Sequence, residues 1–318
     1  MNTNDTAPVG LFVGLATIDI IHGVARMPSS NEKITATAQA LAGGGPAANA
    51  AVTFAHRGGR ATLASVVGRH RLTEIIRADM DVCGVRIMDA APERDEPPPV
   101  SVIAVSAGSG DRSVVAHYAE AGDVDVPDEL LDLAQRCDVV LVDGHHPVLA
   151  AAAVDAARRS GRRTVLDGGR WRPSVEALLP GIDVAVCSAD FRPPGCRDDS
   201  DVFGYLTRWG VRWAAVTHGG GTITWRGPVG HGEVLVPAVD VADTLGAGDV
   251  FHGAFCHEFA TRTDLTRQSW FAECLARATV DASRSCASFG SRSWLNEPGF
   301  SRSGPVPPGG GPAVRVRG

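Results

Sequence analysis

Apolar residues along the chain fall into two alternating rhythms. Short, nearly uninterrupted runs at Leu11–Ala16, Ala61–Val67, Val139–Val142, Thr164–Leu166, Val184–Cys187 and Ala214–Thr217 read as strands buried on both faces. Between them lie stretches of helical character. One runs from Pro46 to about His56, opened by Gly43-Gly44-Gly45 and stopped by Gly58-Gly59. Another, Leu72–Cys83, gathers Leu72, Ile75, Ile76 and Met80 on one face. The Ala-rich stretch Pro147–Ser160 has Pro at its start and Gly161 just past its end. Phe251, Phe255 and Phe259 recur at i, i+4 and i+8, and a last helix is expected from about Arg267 to Arg284. Repeated strand–helix units predict an α/β fold: a doubly wound, mostly parallel sheet with helices on both faces.

Two regions break the rhythm. Residues 17–39 alternate around Ile34 without a helical period and read as short strands or loops. Residues 100–118 hold two β runs, Val100–Val105 and Ser113–His117, joined by the hairpin signal Gly108-Ser109-Gly110-Asp111. Both read as β excursions from the core, and a further β pair is expected near Thr222–Trp225 and Glu233–Val236. Residues 1–300 are expected to form one domain. The tail 301–318, with Gly309-Gly310-Gly311 and four prolines, has nothing to bury and is expected to be disordered.

Composition narrows the function classes. The chain of 318 residues is 44% apolar and 21% charged, ordinary for a soluble globular protein with a sizeable core. Its net charge of −6 carries no basic footprint for nucleic acid or an anionic membrane. The apolar run Leu11–Ile21 contains Asp19 and lacks a basic preceding region, so it reads as a buried strand; a cytoplasmic enzyme is expected. Seven cysteines without a C-x-x-C pair suggest free, mostly buried thiols. The histidines form no metal pattern: His145 and His146 are adjacent, and His252 and His257 diverge on a helix.

The candidate chemistry centres on the stretch from Asp243 to Phe255. Its Gly-rich half, through Gly246-Ala247-Gly248, opens the helix of Phe251 and points free N–H groups at one spot suited to a phosphate. Asp249 sits in the same first turn. A carboxylate there would repel phosphate, so it either takes a proton from an attacking hydroxyl, or Asp249 caps the helix and the glycines only make the turn. The second such stretch is Gly43 to Asn49, where glycines let backbone approach a ligand and Asn49 offers a donor and an acceptor. Asp19, in an apolar run, needs a partner when buried.

The string Asp243-Thr244-Leu245-Gly246-Ala247-Gly248-Asp249-Val250-Phe251 resembles the signature of the ribokinase-like (PfkB) carbohydrate kinases. The resemblance implies that Asp249 is the catalytic base and that Gly246, Ala247, Gly248 and the backbone of Asp249 form an anion hole. The stretch Gly44-Gly45-x-x-x-Asn49 resembles the family's sugar-binding motif, and Asp19 matches its sugar-hydroxyl ligand. Thr217-His218-Gly219 resembles the nucleotide loop, so Thr217, Gly219, Thr244, Gly246 and Gly248 are expected at the nucleotide. Cys286-Ala287-Ser288-Phe289-Gly290 resembles the loop near the adenine and the monovalent-cation site. The likeness spans Leu11 to about Glu297. It implies ATP, Mg²⁺, a monovalent cation such as K⁺, a sugar substrate, and a small β lid formed by the two excursions, through which two copies could pair.

Two motifs depart from the family. Its Asn-x-x-Glu motif, concerned with Mg²⁺ and phosphate, is replaced by Ser188-Ala189-Asp190-Phe191, and Val67-Gly68-Arg69-His70 lacks the family's Asp. The sulfofructose kinases also carry Ser in place of that Asn. Gly43–Ala48, Asp143-Gly144-His145 and Asp249–Ala254 are similar to the sulfofructose kinase and fructokinase-like branch. His145, however, stands where the sulfofructose kinases have Arg, which counts against a sulfonated substrate. Lys33 could reach an anionic group or lie solvated on the lid. Asp143, ending a buried strand, is either a hydroxyl ligand or a polar core residue. The reading is an ATP-dependent sugar kinase acting on a primary hydroxyl. A nucleoside kinase of the same fold and a non-catalytic sugar sensor remain as alternatives.

Overall fold

The computed structural model describes residues 7–107, 110–117, 124–228, 230–266, 269–296 and 314–317. From the N-terminus, β1 (Val9–Val13), β2 (Thr17–Val24) and β3 (Ala38–Gly44) lead into α1 (Pro46–His56). β4 (Arg60–Ser65), α2 (Thr73–Val82), β5 (Val85–Asp89), β6 (Val100–Ser106) and β7 (Arg112–His117) follow. Strand and helix then alternate through α3 (Asp128–Arg136), β8 (Val139–Val142), α4 (Pro147–Arg159), β9 (Arg163–Gly168) and the short α5 (Pro173–Glu176). β10 (Val184–Ser188), α6 (Asp199–Arg208) and β11 (Trp213–Thr217) continue the pattern. β12 (Ile223–Gly227), β13 (Gly230–Val234), α7 (Ala247–Thr261), α8 (Trp270–Ser285) and β14 (Val314–Arg317) complete it.

The described strands form two sheets. The larger has the order β14-β13-β12-β11-β10-β9-β8-β1-β4-β5, parallel from β11 to β5 and antiparallel from β11 outward to β14. Period-two alternation sends its side chains to two cores. Phe12 and Leu141 pack with α1, α7 and α8 on one face, among Phe54, Phe255 and Phe271. Leu11, Val13, Val140 and Val142 pack with α3, α4 and α6 on the other. Burying each such side chain contributes about 1.5–3 kcal/mol, which is why strands such as Val139–Val142 are apolar throughout.

The two β excursions meet in the smaller sheet, of order β3-β2-β6-β7. Asp19 on β2 lies opposite Ala42 on one side and Ser101 on the other. Ile21, Ile103 and Val105 on its inner face pack against Leu245 and Phe289, so this lid sits on the loops that precede and follow the last two helices.

Four expectations need correction. α2 begins at Thr73, leaving Leu72 outside the helix and partly exposed, because the chain turns at His70, whose carbonyl accepts the N–H of Thr73. Gly43 and Gly44 end β3 instead of belonging to the helix start, because they pair with Ile18 and Thr17. α8 begins at Trp270, and residues 267–268 lie outside the described residues. The tail expected to be disordered ends in a strand: Val314–Arg317 pairs antiparallel with β13, whose edge would otherwise lack a ladder partner. Residues 301–313 lie outside the described residues, as do Gly108 and Ser109 of the expected hairpin turn.

Candidate active site

The carboxyl ends of the parallel strands meet the N-termini of α1 and α7, and the lid stands over them. Gly246 occupies the N-cap position of α7 with φ 73°, a left-handed conformation that glycine tolerates best. The intrahelical ladder starts with Val250 N–H donating to the Gly246 carbonyl at 2.9 Å. The N–H groups of the preceding turn therefore face outward from the helix start. The Ala247 N–H makes only a long turn contact, 3.4 Å, to the Thr244 carbonyl. A Cβ built on Gly248 would meet nothing within 4 Å, so this backbone borders open space.

Asp249 is the third residue of α7, and its side chain does not cap the helix. Its Oδ2 accepts the Asn49 Nδ2 hydrogen at 2.8 Å, linking the first turns of α7 and α1. Asn49 Oδ1 in turn accepts from Arg292 Nη1 at 2.9 Å. Arginine can only donate, so this contact fixes the amide with its NH₂ toward Asp249. Arg292 is itself held by Asp79 Oδ2 at 3.1 Å and by the Gly43 carbonyl at 2.5 Å. Burial, and then the nearby Asp167 carboxylate, push Asp249 up to about 7, while the Asn49 bond pulls the other way.

Asp19, buried on lid strand β2, accepts the Thr17 hydroxyl at 2.7 Å. Burial pushes its carboxyl up, opposed by Thr17, Ser101 and Arg292. A Cβ at Gly44 would strike the Asp19 carboxylate, and one at Gly45, at φ 99°, would strike the Leu15 carbonyl. Gly44 and Gly45 thus serve close packing within the protein.

Asp143 is not open to a ligand. Its Oδ2 accepts from the N–H of Leu15 at 2.9 Å and of Ala47 at 3.1 Å; its Oδ1 accepts from the N–H of His145 at 2.9 Å and faces that ring at 3.1 Å. Burial opposes ionisation, yet the His145 imidazole and these donors hold Asp143 down to about 2. The hydroxyl-ligand reading of Asp143 is therefore replaced by a structural one: it clamps the ends of β1 and β8 to the start of α1. Lys33 is exposed in the loop between β2 and β3.

A cavity of about 430 Å³ opens on the other side of the α7 start. Thr217, Gly219, Thr244, Ala247 and Gly248 line it, and Ile223, Val236 and Phe251 supply apolar walls. Gly246 instead faces the Asn49 and Asp249 side, where a Cβ would come within 3.6 Å of Asn49 Nδ2. The start of α7 therefore stands between this cavity and a polar cluster in which Asn49 donates to Asp249 and the Asp19 carboxylate acts on Asp249. At the cavity rim, Ser188 donates to the Gly169 carbonyl at 2.7 Å, and Asp190 is exposed. Among the described residues no group of three His, Cys, Asp or Glu side chains could hold a metal ion.

Sequence reasoning missed several groups. Arg112, on lid strand β7, donates to the Thr244 hydroxyl at 2.7 Å and lines the cavity. Arg292 holds Asn49 from 243 positions away. Asp167 and His252 are buried beneath the start of α7. His252 lies one helical turn beyond Asp249, a spacing visible in the sequence, and its Nδ1 faces the Gly248 carbonyl of its own helix, but Val186 and Asp167 reach it from other strands and carry no local signal.

Comparison with known proteins agrees with this geometry. The model of the pfkB family carbohydrate kinases matches residues 11–295. An ATP-dependent ribose-1-phosphate kinase of Halopiger xanaduensis is 27% identical over 279 residues, covering 85% of this chain and 91% of the relative. A ribokinase of Arabidopsis thaliana is 26% identical over 265 residues, 78% of this chain and 70% of the relative. The structure of the Arabidopsis ribokinase complexed with ribose and ATP shares the fold, with a TM-score of 0.68 and 21% identity over 92% of this chain and 99% of that one. No helix among the described residues is long and apolar enough to cross a membrane.

Proposed function

The chain belongs to the pfkB family of carbohydrate kinases, and from that premise we propose that it transfers the γ-phosphate of ATP to a primary hydroxyl of a sugar, with Asp249 as general base. The observation that carries this reading is the position of Asp249. Its carboxylate lies in the first turn of a helix whose start, at Ala247 and Gly248, borders an open cavity, and it is held by Asn49 on the side where the Asp19 carboxylate acts on it. The sugar would lie under the lid, against Asp19 and the second amide hydrogen of Asn49. The nucleotide would fill the cavity, its base on the apolar wall and its phosphates toward Thr244 and Gly248.

In this mechanism the sugar oxygen attacks the γ-phosphorus in line. Its proton passes to Asp249, and the bond from that phosphorus to the β–γ bridging oxygen breaks, releasing ADP. N–H groups at Gly246 to Gly248 meet the growing negative charge, and Arg112 adds a cation from the lid. The lid shuts water from the transfer. Magnesium bound with the nucleotide would supply neutralisation of phosphate charge. Asp190 is the carboxylate at the cavity rim that would face it, consistent with a metal held largely by phosphate and water.

The residues do not fit the monovalent cation equally well. The Asp243 carboxylate already accepts from Leu245 and Gly290, and the Cys286 carbonyl accepts from Ala242 and Asp243. No step is assigned to that ion. Ile20, Leu41, Val102 and Val115 form one cross-strand row on the lid, with Leu41, Val102 and Val115 exposed. A second copy is proposed to cover this row; Val115→Lys should then shift the sedimentation of the parent toward monomer, and a monomeric parent would refute it.

The decisive test measures ADP release over a panel of ketoses, aldoses, sugar acids and nucleosides, beside calorimetric binding, on the parent and Asp249→Asn. Asparagine keeps the shape but cannot take the proton, so kcat should fall by about 10²–10⁴ while sugar affinity changes little. Equal turnover in the two proteins would refute Asp249 as base. Turnover confined to nucleosides would favour a nucleoside kinase.

A further inference from the structure

Beneath the start of α7 lies a buried pair that the proposed mechanism does not use. His252 follows Asp249 by three positions and is 5% exposed; Asp167, near the end of β9, is 6% exposed. The imidazole Nδ1 is 2.7 Å from the Gly248 carbonyl, and Nε2 is 3.1 Å from the Val186 carbonyl of β10. Asp167 Oδ2 lies 3.4 Å from the same Nδ1 and has no hydrogen-bond partner.

A carbonyl oxygen accepts hydrogen bonds and cannot donate them. With a carbonyl at each ring nitrogen, both bonds form only if both nitrogens carry protons, which makes the ring an imidazolium. A neutral ring with a bare Nδ1 would hold two lone pairs face to face at 2.7 Å. The charge needs a counter-ion in so buried a place, and Asp167 is the carboxylate beside it.

We infer that His252 and Asp167 form one positioning unit, an imidazolium–carboxylate pair that ties the Gly248 peptide to β10 and sets a positive charge behind Asp249. The tie acts on the backbone proposed to receive the transferred phosphate, fixing its depth relative to the sheet. The charge acts on two carboxylates that would otherwise repel, Asp167 and Asp249. The inference rests on the reading of Asp249 as general base.

Titratable groups face the pair from several elements. Asp143 and His145 face the pair from the end of β8, Asp249 from its own helix, and Asp19 reaches Asp249 from the lid. The thiols of Cys187 and Cys256 are pushed far up by burial and stay neutral. Burial, and then the Asp143 carboxylate, push Asp167 up to about 8, and burial pushes His252 down. Burial thus opposes both charges, and the pair shares one proton beyond the one on Nε2. The Gly248 carbonyl decides that this proton sits on Nδ1 and not on the carboxyl.

Two measurements test the inference. In the parent, nitrogen NMR of ¹⁵N-histidine, with His252 assigned by its loss in His252→Gln, should show both ring nitrogens protonated at pH 7. In Asp167→Asn the same ring should be neutral at that pH. The second is the pH profile of kcat. Glutamine can still donate to one carbonyl but carries no charge, so the acidic limb should move upward by about one unit or more. A merely structural histidine would scale kcat equally at every pH, with the limb unmoved. A bare Nδ1 in the parent, or an unmoved limb in a variant that melts like the parent, would overturn the inference. If no sugar supports ADP release by the parent, the kinase reading fails instead, and the ring spectrum alone decides the pair.

Discussion

The two glycine-rich helix starts look alike in sequence and differ in physical role. Both lead into Ala-bearing helices that pack on each other, and each carries a polar side chain that reaches the other through the Asn49–Asp249 bond. The start of α1 is closed. Its Ala47 N–H is taken by Asp143, and its glycines abut the Asp19 carboxylate and the Leu15 carbonyl. The start of α7 is open, and Gly248 borders a cavity. Glycine thus permits two things: close approach of protein to protein at α1, and access for a ligand at α7. The difference teaches that a helix N-terminus becomes a candidate anion site only where its N–H groups are left without a protein acceptor.

Substitution of one glycine in each start should separate these roles. Gly248→Val places side chain in the open space, so the fold should survive while turnover falls by about 10²-fold or more, read by kcat beside thermal melting. A well-folded, fully active variant would mean that phosphate is not transferred there. Gly45→Ala should do the converse. The strained backbone and the clash with Leu15 should lower stability by about 1–3 kcal/mol, seen in chemical denaturation. An unchanged midpoint would remove the contrast.

A smaller and graded effect is expected from pH. Asp249, held up to about 7, is a base only when ionised, so kcat should be level above that pH and fall by about tenfold per unit below it. Asp143, held down to about 2, stays ionised throughout and should contribute no limb in the neutral range. A profile flat from pH 5 to 8 would contradict the assignment of Asp249. The comparison is thereby sharpened from backbone to carboxylates: one remains ionised by its many donors, the other is left close to its working pH by burial and a neighbouring charge.

Much of this protein was determined by its sequence alone. The buried strands, the helices between them, the two β excursions and the Gly-rich start of α7 are local matters, set by apolar periodicity and by which residues permit a turn. The position of Asp249 in a helical first turn followed from the same local logic. Only the tertiary structure decided what each of those groups touches. Asp143 changed from a candidate ligand to a clamp because the sheet brings it to Leu15 and Ala47, 128 and 96 positions away. Asn49 acquired its orientation from Arg292, and His252 its second carbonyl from Val186, 66 positions earlier. Even the tail took up a strand because β13 offered an edge. The physical reason is common to all of these. Backbone conformation responds to near neighbours, whereas a buried polar group must find a partner among whatever chain segments the fold brings beside it.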